Sequence, residues 1–168
     1  MTSSATNHAR VPDEVDKITA AWQRERPDVD VSPMQVLSRV LRVARQLDRA
    51  RREAFAAHEI DTWEFDVLSA LRRSGEPYSL SAGQLGTATS VTSGTMTNRI
   101  DRLAERGFVR REPDPTDRRG VQVVLTDSGR AAVDGSLVDL MERERALLDH
   151  LTRREQQDLA NLLRRLPD

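Results

Sequence analysis

The chain has 168 residues, 38% hydrophobic and 32% charged, which supplies one ordinary core beneath a heavily charged exterior and excludes a disulfide-stapled miniprotein and wholesale disorder. It contains no cysteine, so thiolate catalysis, Cys-based zinc sites and thiol redox switching are excluded as well. A balance of 26 basic against 27 acidic residues argues against a polycation that coats nucleic acid by bulk charge.

Residues 1–11 are polar and aperiodic and read as a flexible tail. Pro12 and Asp13 then open a short amphipathic helix in which Val15, Ile18 and Trp22 share a face, and Pro27 closes it. From Met34 the apolar residues Leu37, Val40, Leu41, Ala44 and Leu47 repeat at helical spacing, predicting a long helix to about Ala57. Ile60, Val67, Leu68 and Leu71 define a third helix that stops near Ser74 and Gly75. Two more helices follow, over 81–88 and 92–106, with Thr92 as N-cap and Gly107 as the stop. The period then changes. Phe108 and Val109 begin one strand, and Val121, Val123 and Leu125 mark a second, with the polar loop EPDPTDRRG between them. Thr126 caps a long helix, and a last one carries Leu159, Leu162, Leu163 and Leu166.

Short helices followed by a hairpin, set between longer helices, are the order of a winged helix-turn-helix. The predicted fold class is therefore mainly α with a small β-hairpin wing (α+β). The expected divisions are the tail at 1–11, N-terminal helices over 12–57, a DNA-binding domain over 58–125 and C-terminal helices over 126–168. On the helix over 92–106, Met96, Ile100, Leu103 and Ala104 form an inward stripe, and Thr95, Asn98 and Arg102 share the opposite face. Asn pairs bidentately with adenine and Arg with guanine, so that face suits base edges in a major groove, although a plain solvated face has the same composition. The candidate DNA contacts are Thr92, Ser93, Thr95, Met96, Asn98 and Arg102, with Arg118 and Arg119 at the hairpin tip. Two adjacent guanidiniums there repel unless they meet an anion such as a narrow minor groove, and Asp117 beside them can hold one in orientation. Lys17 is the sole lysine, so nearly every cation is an Arg fork; Arg-rich codon usage accounts for the same ratio.

The run TSGTMTNRIDRLAERGFVRREPDPTDRRGVQVVLTDSG closely resembles the recognition helix and wing of MarR-type transcriptional regulators. The shared signature is a D-x-L-x-x-x-G helix end at Asp101, Leu103 and Gly107, a DP-x-D-R-R wing over 114–119 and an LT-x-x-G turn from Leu125 to Gly129. The resemblance covers roughly residues 35–165. It implies an obligate homodimer joined through the N- and C-terminal helices, with two winged domains on a palindromic operator, Arg119 in the minor groove, and repression as the usual sign. Trp22 in the extra first helix, Asp66 in EFDVLSALRRSG and Arg99 in MTNRIDRL further resemble the urate-responsive PecS and HucR branch, in which residues at those places form the ligand pocket; Arg111 is a fourth member by the same resemblance. What it implies is a small anionic ligand, urate first, with stacking on Trp22, charge pairing with Arg99 and hydrogen bonding or repulsion at Asp66. A phenolic compound or a tricarboxylate remains open as the ligand. A purely structural reading also stands, in which Trp22 docks the extra helix and Asp66 pairs with Arg99.

His8, His58 and His150 are far apart, and no phosphate loop or nucleophile elbow is present, so no enzyme activity, catalytic residue, metal site or cofactor is expected. Metal sensing through His58 and His150 beside Glu59 and Asp149, and a helical protein-interaction adaptor without DNA binding, are the rival classes. No apolar run reaches the ~18 residues of a membrane span and the first residues lack a secretory signal, so the expected place is the cytoplasm, with no membrane partner.

Overall fold

The computed structural model describes residues 11–114 and 120–167. They form α1 (Glu14–Glu25), α2 (Met34–Ala56), α3 (Thr62–Arg73), β1 (Ser79–Ser81), α4 (Ala82–Thr89), α5 (Ser93–Glu105), β2 (Val109–Pro113), β3 (Val121–Leu125), α6 (Asp127–Leu148) and α7 (Arg153–Leu163). This is the mainly helical class with a small wing. The tail expected at 1–11 lies outside the described residues except for Val11, and so do Asp117, Arg118 and Arg119. Two compact units divide after Asp48, a point inside α2.

In the first unit, α1 starts at a capping box. The Asp13 carboxylate accepts from the Asp16 amide and the Asp16 carboxylate from the Asp13 amide, each at 3.0 Å. Arg39 of α2 brackets the two carboxylates at 2.8 and 2.9 Å. The partner's backbone N–H and then the Arg39 guanidinium hold both carboxyls below the ordinary carboxylate value. The buried face of α1 differs from the expected one. Val15 and Thr19 are inside, while Ile18 is outward and Trp22 keeps 50% of its surface exposed. Thr19 is admitted because its hydroxyl donates to the Val15 carbonyl at 2.8 Å, so no unpaired polar group is buried. Val36, Leu37, Val40 and Leu41 on α2 are exposed in the single chain.

The second unit holds the core. Phe55 and Phe65 stack with ring centroids 4.2 Å apart, surrounded by Leu68, Leu71, Leu85, Met96, Ile100 and Leu103. The sheet has three antiparallel strands in the order β1-β3-β2, one more than the hairpin expected from sequence. Ser79, Leu80 and Ser81 pair with Val124, Val123 and Gln122 on the free edge of β3. Ser81 then serves as the N-cap of α4 through a capping box with Gln84. Three residues are too short to display a strand period, so only the open edge of β3 makes them a strand.

The LT-x-x-G turn has a physical explanation. The Thr126 hydroxyl accepts from the Gly129 amide and so caps α6, and the Thr126 and Ser128 hydroxyls converge on the Gly107 carbonyl at 2.7 and 2.8 Å. A Cβ at position 129 would collide with the Phe108 carbonyl, so glycine lets α6 approach the root of the wing. Gly107 itself ends α5 with φ of 74°, as its stop position predicts. Three side-chain pairs tie α6 to the rest of the unit: Arg72–Asp134 at 2.9 Å, His58–Asp139 at 3.0 Å and Arg143–Glu53 at 2.6 Å. Asp134 holds the Arg72 guanidinium above its ordinary pKa. On α7, Leu159, Leu162 and Leu163 are exposed, and Leu166 falls beyond the helix end.

Candidate functional site

The helix-turn-helix pair is set by local chemistry. Ser90 closes α4 in the left-handed conformation with φ of 55°, and Thr92 takes the N-cap geometry of α5 two residues later. A Cβ on Gly86 would stand 3.2 Å from the Val91 carbonyl, so the turn packs tightly onto α4. The Thr92 hydroxyl meets that of Thr95 at 3.0 Å instead of a backbone amide.

From this start α5 presents two faces. Ile100 and Leu103 are buried, and Thr92, Ser93, Thr95, Asn98 and Arg102 are exposed together, as the helical period requires. Met96 is a correction to the sequence reading. It is 0% exposed and sits among the core residues, so its side chain cannot reach a base edge. The inward stripe to which its spacing assigns it is where it belongs.

Arg99 and Arg102 share a support that sequence reasoning missed. Their guanidinium carbons lie 5.4 and 5.1 Å from the ring centroid of Trp63 on α3, and these three residues with Thr95 and Asn98 line a cavity of about 300 Å³. The capping-box spacing of Asp61 and Glu64 was a signal that puts Trp63 in the first turn of α3, but nothing in sequence says what that turn faces. The next residue, Glu64, is buried and accepts from Arg106 at 2.6 Å, at the end of α5.

Asp66 is placed elsewhere. Its partner is Arg51, at 3.0 Å, whose guanidinium also lies over the Phe55 and Phe65 rings at 5.3 and 5.9 Å. Arg51 and Asp66 line a separate cavity of about 310 Å³ with Phe65, Ser69, Arg73 and the α4–α5 turn at Ala88, Thr89 and Ser90. Asp66 and Arg99 line different cavities, and the ion-pair partner of Asp66 is Arg51, which replaces the expected structural pairing of Asp66 with Arg99. Trp22 is on α1 in the first unit. Arg111, on β2, reaches Asp101 of α5 at 2.5 Å and ties the wing strand to that helix.

At the wing, the Asp114 amide donates to the Gly120 carbonyl at 3.0 Å, closing the two strands toward each other on either side of 115–119. His58 is engaged by Asp139, and among the described residues no cluster of three or more His, Asp or Glu side chains could hold a metal ion. No helix among them is long and apolar enough to cross a membrane.

A model of the MarR family matches residues 58–120. The chain is 39% identical over 153 residues to the transcriptional regulator PecS of Dickeya dadantii, covering 91% of this chain and 92% of that protein. Among solved structures it is similar to a mutant MarR of E. coli complexed with operator DNA, with a TM-score of 0.67 and 30% identity over 83% of this chain and 100% of that one. It is also similar to Bordetella bronchiseptica BpsR, whose DNA binding is regulated by 6-hydroxynicotinic acid, with a TM-score of 0.58 and 28% identity over 74% and 90% of the two chains.

Proposed function

The chain belongs to the MarR family, and from that premise we propose that it is a DNA-binding transcriptional repressor of the cytoplasm, which reads a palindromic operator as a homodimer and is released by a small anionic ligand, urate first. One observation carries the DNA reading: α5 buries Met96, Ile100 and Leu103 and turns Thr95, Asn98 and Arg102 outward together, with the wing joined directly to its end. Those are the side chains that pair with base edges in a major groove, and the E. coli relative bound to operator DNA supports the assignment. At the wing, Arg118 and Arg119 as DNA contacts and Asp117 as their orienting neighbour rest on the sequence reading alone. Homodimerisation covers the apolar residues left exposed on α2 and on α7, a stronger reason to associate than scattered surface leucines.

The ligand side rests on Asp66, Arg99 and Arg111, all in the second unit. An anion that draws Arg99 from its present support and competes with Asp66 for Arg51 shifts the recognition helix away from the ~34 Å spacing of successive major grooves. A coupling of ~1–3 kcal/mol weakens operator binding roughly 5- to 150-fold. A different small acid is the second reading, and the regulation of BpsR by 6-hydroxynicotinic acid favours it.

The test is a gel shift on the DNA upstream of the chain's own gene, titrated with urate and with phenolic, nicotinic and tricarboxylic acids. Retardation that falls steeply with salt and is reversed by one acid supports the reading. Equal binding to palindromic and scrambled duplexes would sink the operator reading, and binding to neither would leave a helical adaptor. Ligand release that survives both Asp66→Ala and Arg99→Ala would sink the pocket assignment alone.

A further inference from the structure

The DNA reading leaves Trp63 without a role. It lies on α3, outside the recognition helix and outside the wing, yet its ring lies within cation–π distance of two arginines of α5. We infer that Trp63 is a positioning residue for base reading: its indole is a shelf that holds Arg99 and Arg102 by their faces and leaves their hydrogen-bonding edges directed outward. This rests on the DNA reading above and names what sets its specificity.

A guanidinium can be restrained through its N–H fork or through its flat face. A carboxylate would take the fork, as Glu64 does with Arg106 and Asp101 with Arg111. Among the described residues neither Arg99 nor Arg102 has an ion-pair partner, and a ring contact at 5.4 and 5.1 Å occupies no guanidinium N–H with a carboxylate. The shelf is itself fixed. Trp63 is partly buried against the core, and the α3 turn that carries it starts at the Asp61–Glu64 capping box. The same turn grips the end of α5 through Glu64 and Arg106. Shelf and helix are therefore tied at that end, and Asn98 and Thr95 line the same cavity beside them.

Holding two arginines before DNA arrives removes part of the ordering cost of specific binding. Non-specific binding, made through phosphates, needs no such alignment. The ordering cost saved on two rotamer-rich side chains corresponds to about 5- to 30-fold in affinity, expected for the specific complex alone.

The test uses the full chain and a duplex that the wild-type protein enriches from a randomised library, with a scrambled duplex of equal length as reference, at fixed salt. Trp63→Leu should lower the ratio of the two affinities about 5- to 30-fold and leave scrambled binding within about 2-fold. Trp63→Phe, which keeps a smaller aromatic face, should recover part of the ratio. In an Arg102→Gln background Trp63→Leu should cost less than in the wild type, since one of its two arginine contacts is already gone. If Trp63→Leu does not fold, Trp63→Phe in the same cycle shows the same coupling at lower amplitude. An equal loss on both duplexes, which a merely structural role produces, or a ratio unchanged by both variants, overturns the shelf. A wild-type chain that enriches no duplex overturns the DNA reading and the shelf with it.

Discussion

Arg106 stands where the recognition helix ends and the wing begins, and its removal gives the sharpest stability test. Its guanidinium donates to the Glu64 carboxylate at 2.6 Å and the Glu59 carbonyl at 2.5 Å, and lies 4.6 Å from the centre of the Phe108 ring. Glu64 is 2% exposed, and its other hydrogen bond is from the Asp61 amide at 2.8 Å. Arg106→Ala therefore leaves a carboxylate inside the fold with one backbone donor. Breaking a fully buried ion pair costs about 3–5 kcal/mol. The Arg106 side chain keeps 37% of its surface in water, which screens the pair and brings the expected loss to about 2–3 kcal/mol. At about 2–4 °C per kcal/mol for a chain of this size, Tm should fall by about 4–12 °C at fixed protein concentration. Urea denaturation should show a lower midpoint at unchanged slope. The double change Glu64→Leu with Arg106→Met, which replaces the pair by apolar groups, should lie closer to the wild type than Arg106→Ala does. A single variant within about 0.5 kcal/mol of wild type would refute the argument, because surface substitutions are typically that small.

Gly129→Ala should cost about 1–3 kcal/mol or more, read as a drop in Tm, because the added Cβ meets the Phe108 carbonyl and stands 3.0 Å from Leu125 Cδ1; an unchanged Tm would show that α6 is not seated against the wing root. Arg39→Ala should raise the Asp13 and Asp16 titrations toward their ordinary value of 3.8, followed by carboxyl NMR. Since the folded-state values are depressed, the stabilisation from this cluster is present above that ordinary value and lost as pH falls through the lowered ones, and the variant should lose Arg39's share of that acid-side dependence while the capping-box share stays. Arg111→Ala removes a half-exposed pair with Asp101 and should cost no more than about 1 kcal/mol, yet reduce the acid-induced release of DNA; a full ligand response in that variant would take Arg111 out of the pocket.

Much of the fold is legible in short stretches of sequence. Asp13 with Asp16, Ser81 with Gln84, Thr126 and Gly107 mark helix ends because caps are contacts between residues three or four apart, and the period of Met96, Ile100 and Leu103 states which face of α5 turns inward. The third strand is not legible, since Ser79–Ser81 becomes a strand only by pairing with β3, more than forty residues downstream. The first helix is misread for a related reason: Thr19 counts as polar until its hydroxyl is seen bonded to its own helix.

The candidate site divides along the same line. Its residue types and their order along α5 and the wing follow from sequence, because helical spacing and turn chemistry are local. Which aromatic supports Arg99 and Arg102, that Arg51 and not Arg99 takes Asp66, and that Glu64 reaches Arg106 at a separation of 42 residues were decided by packing. Charge and ring partners between helices depend on how whole faces dock, and a pattern read along one helix carries no record of the surface it will meet.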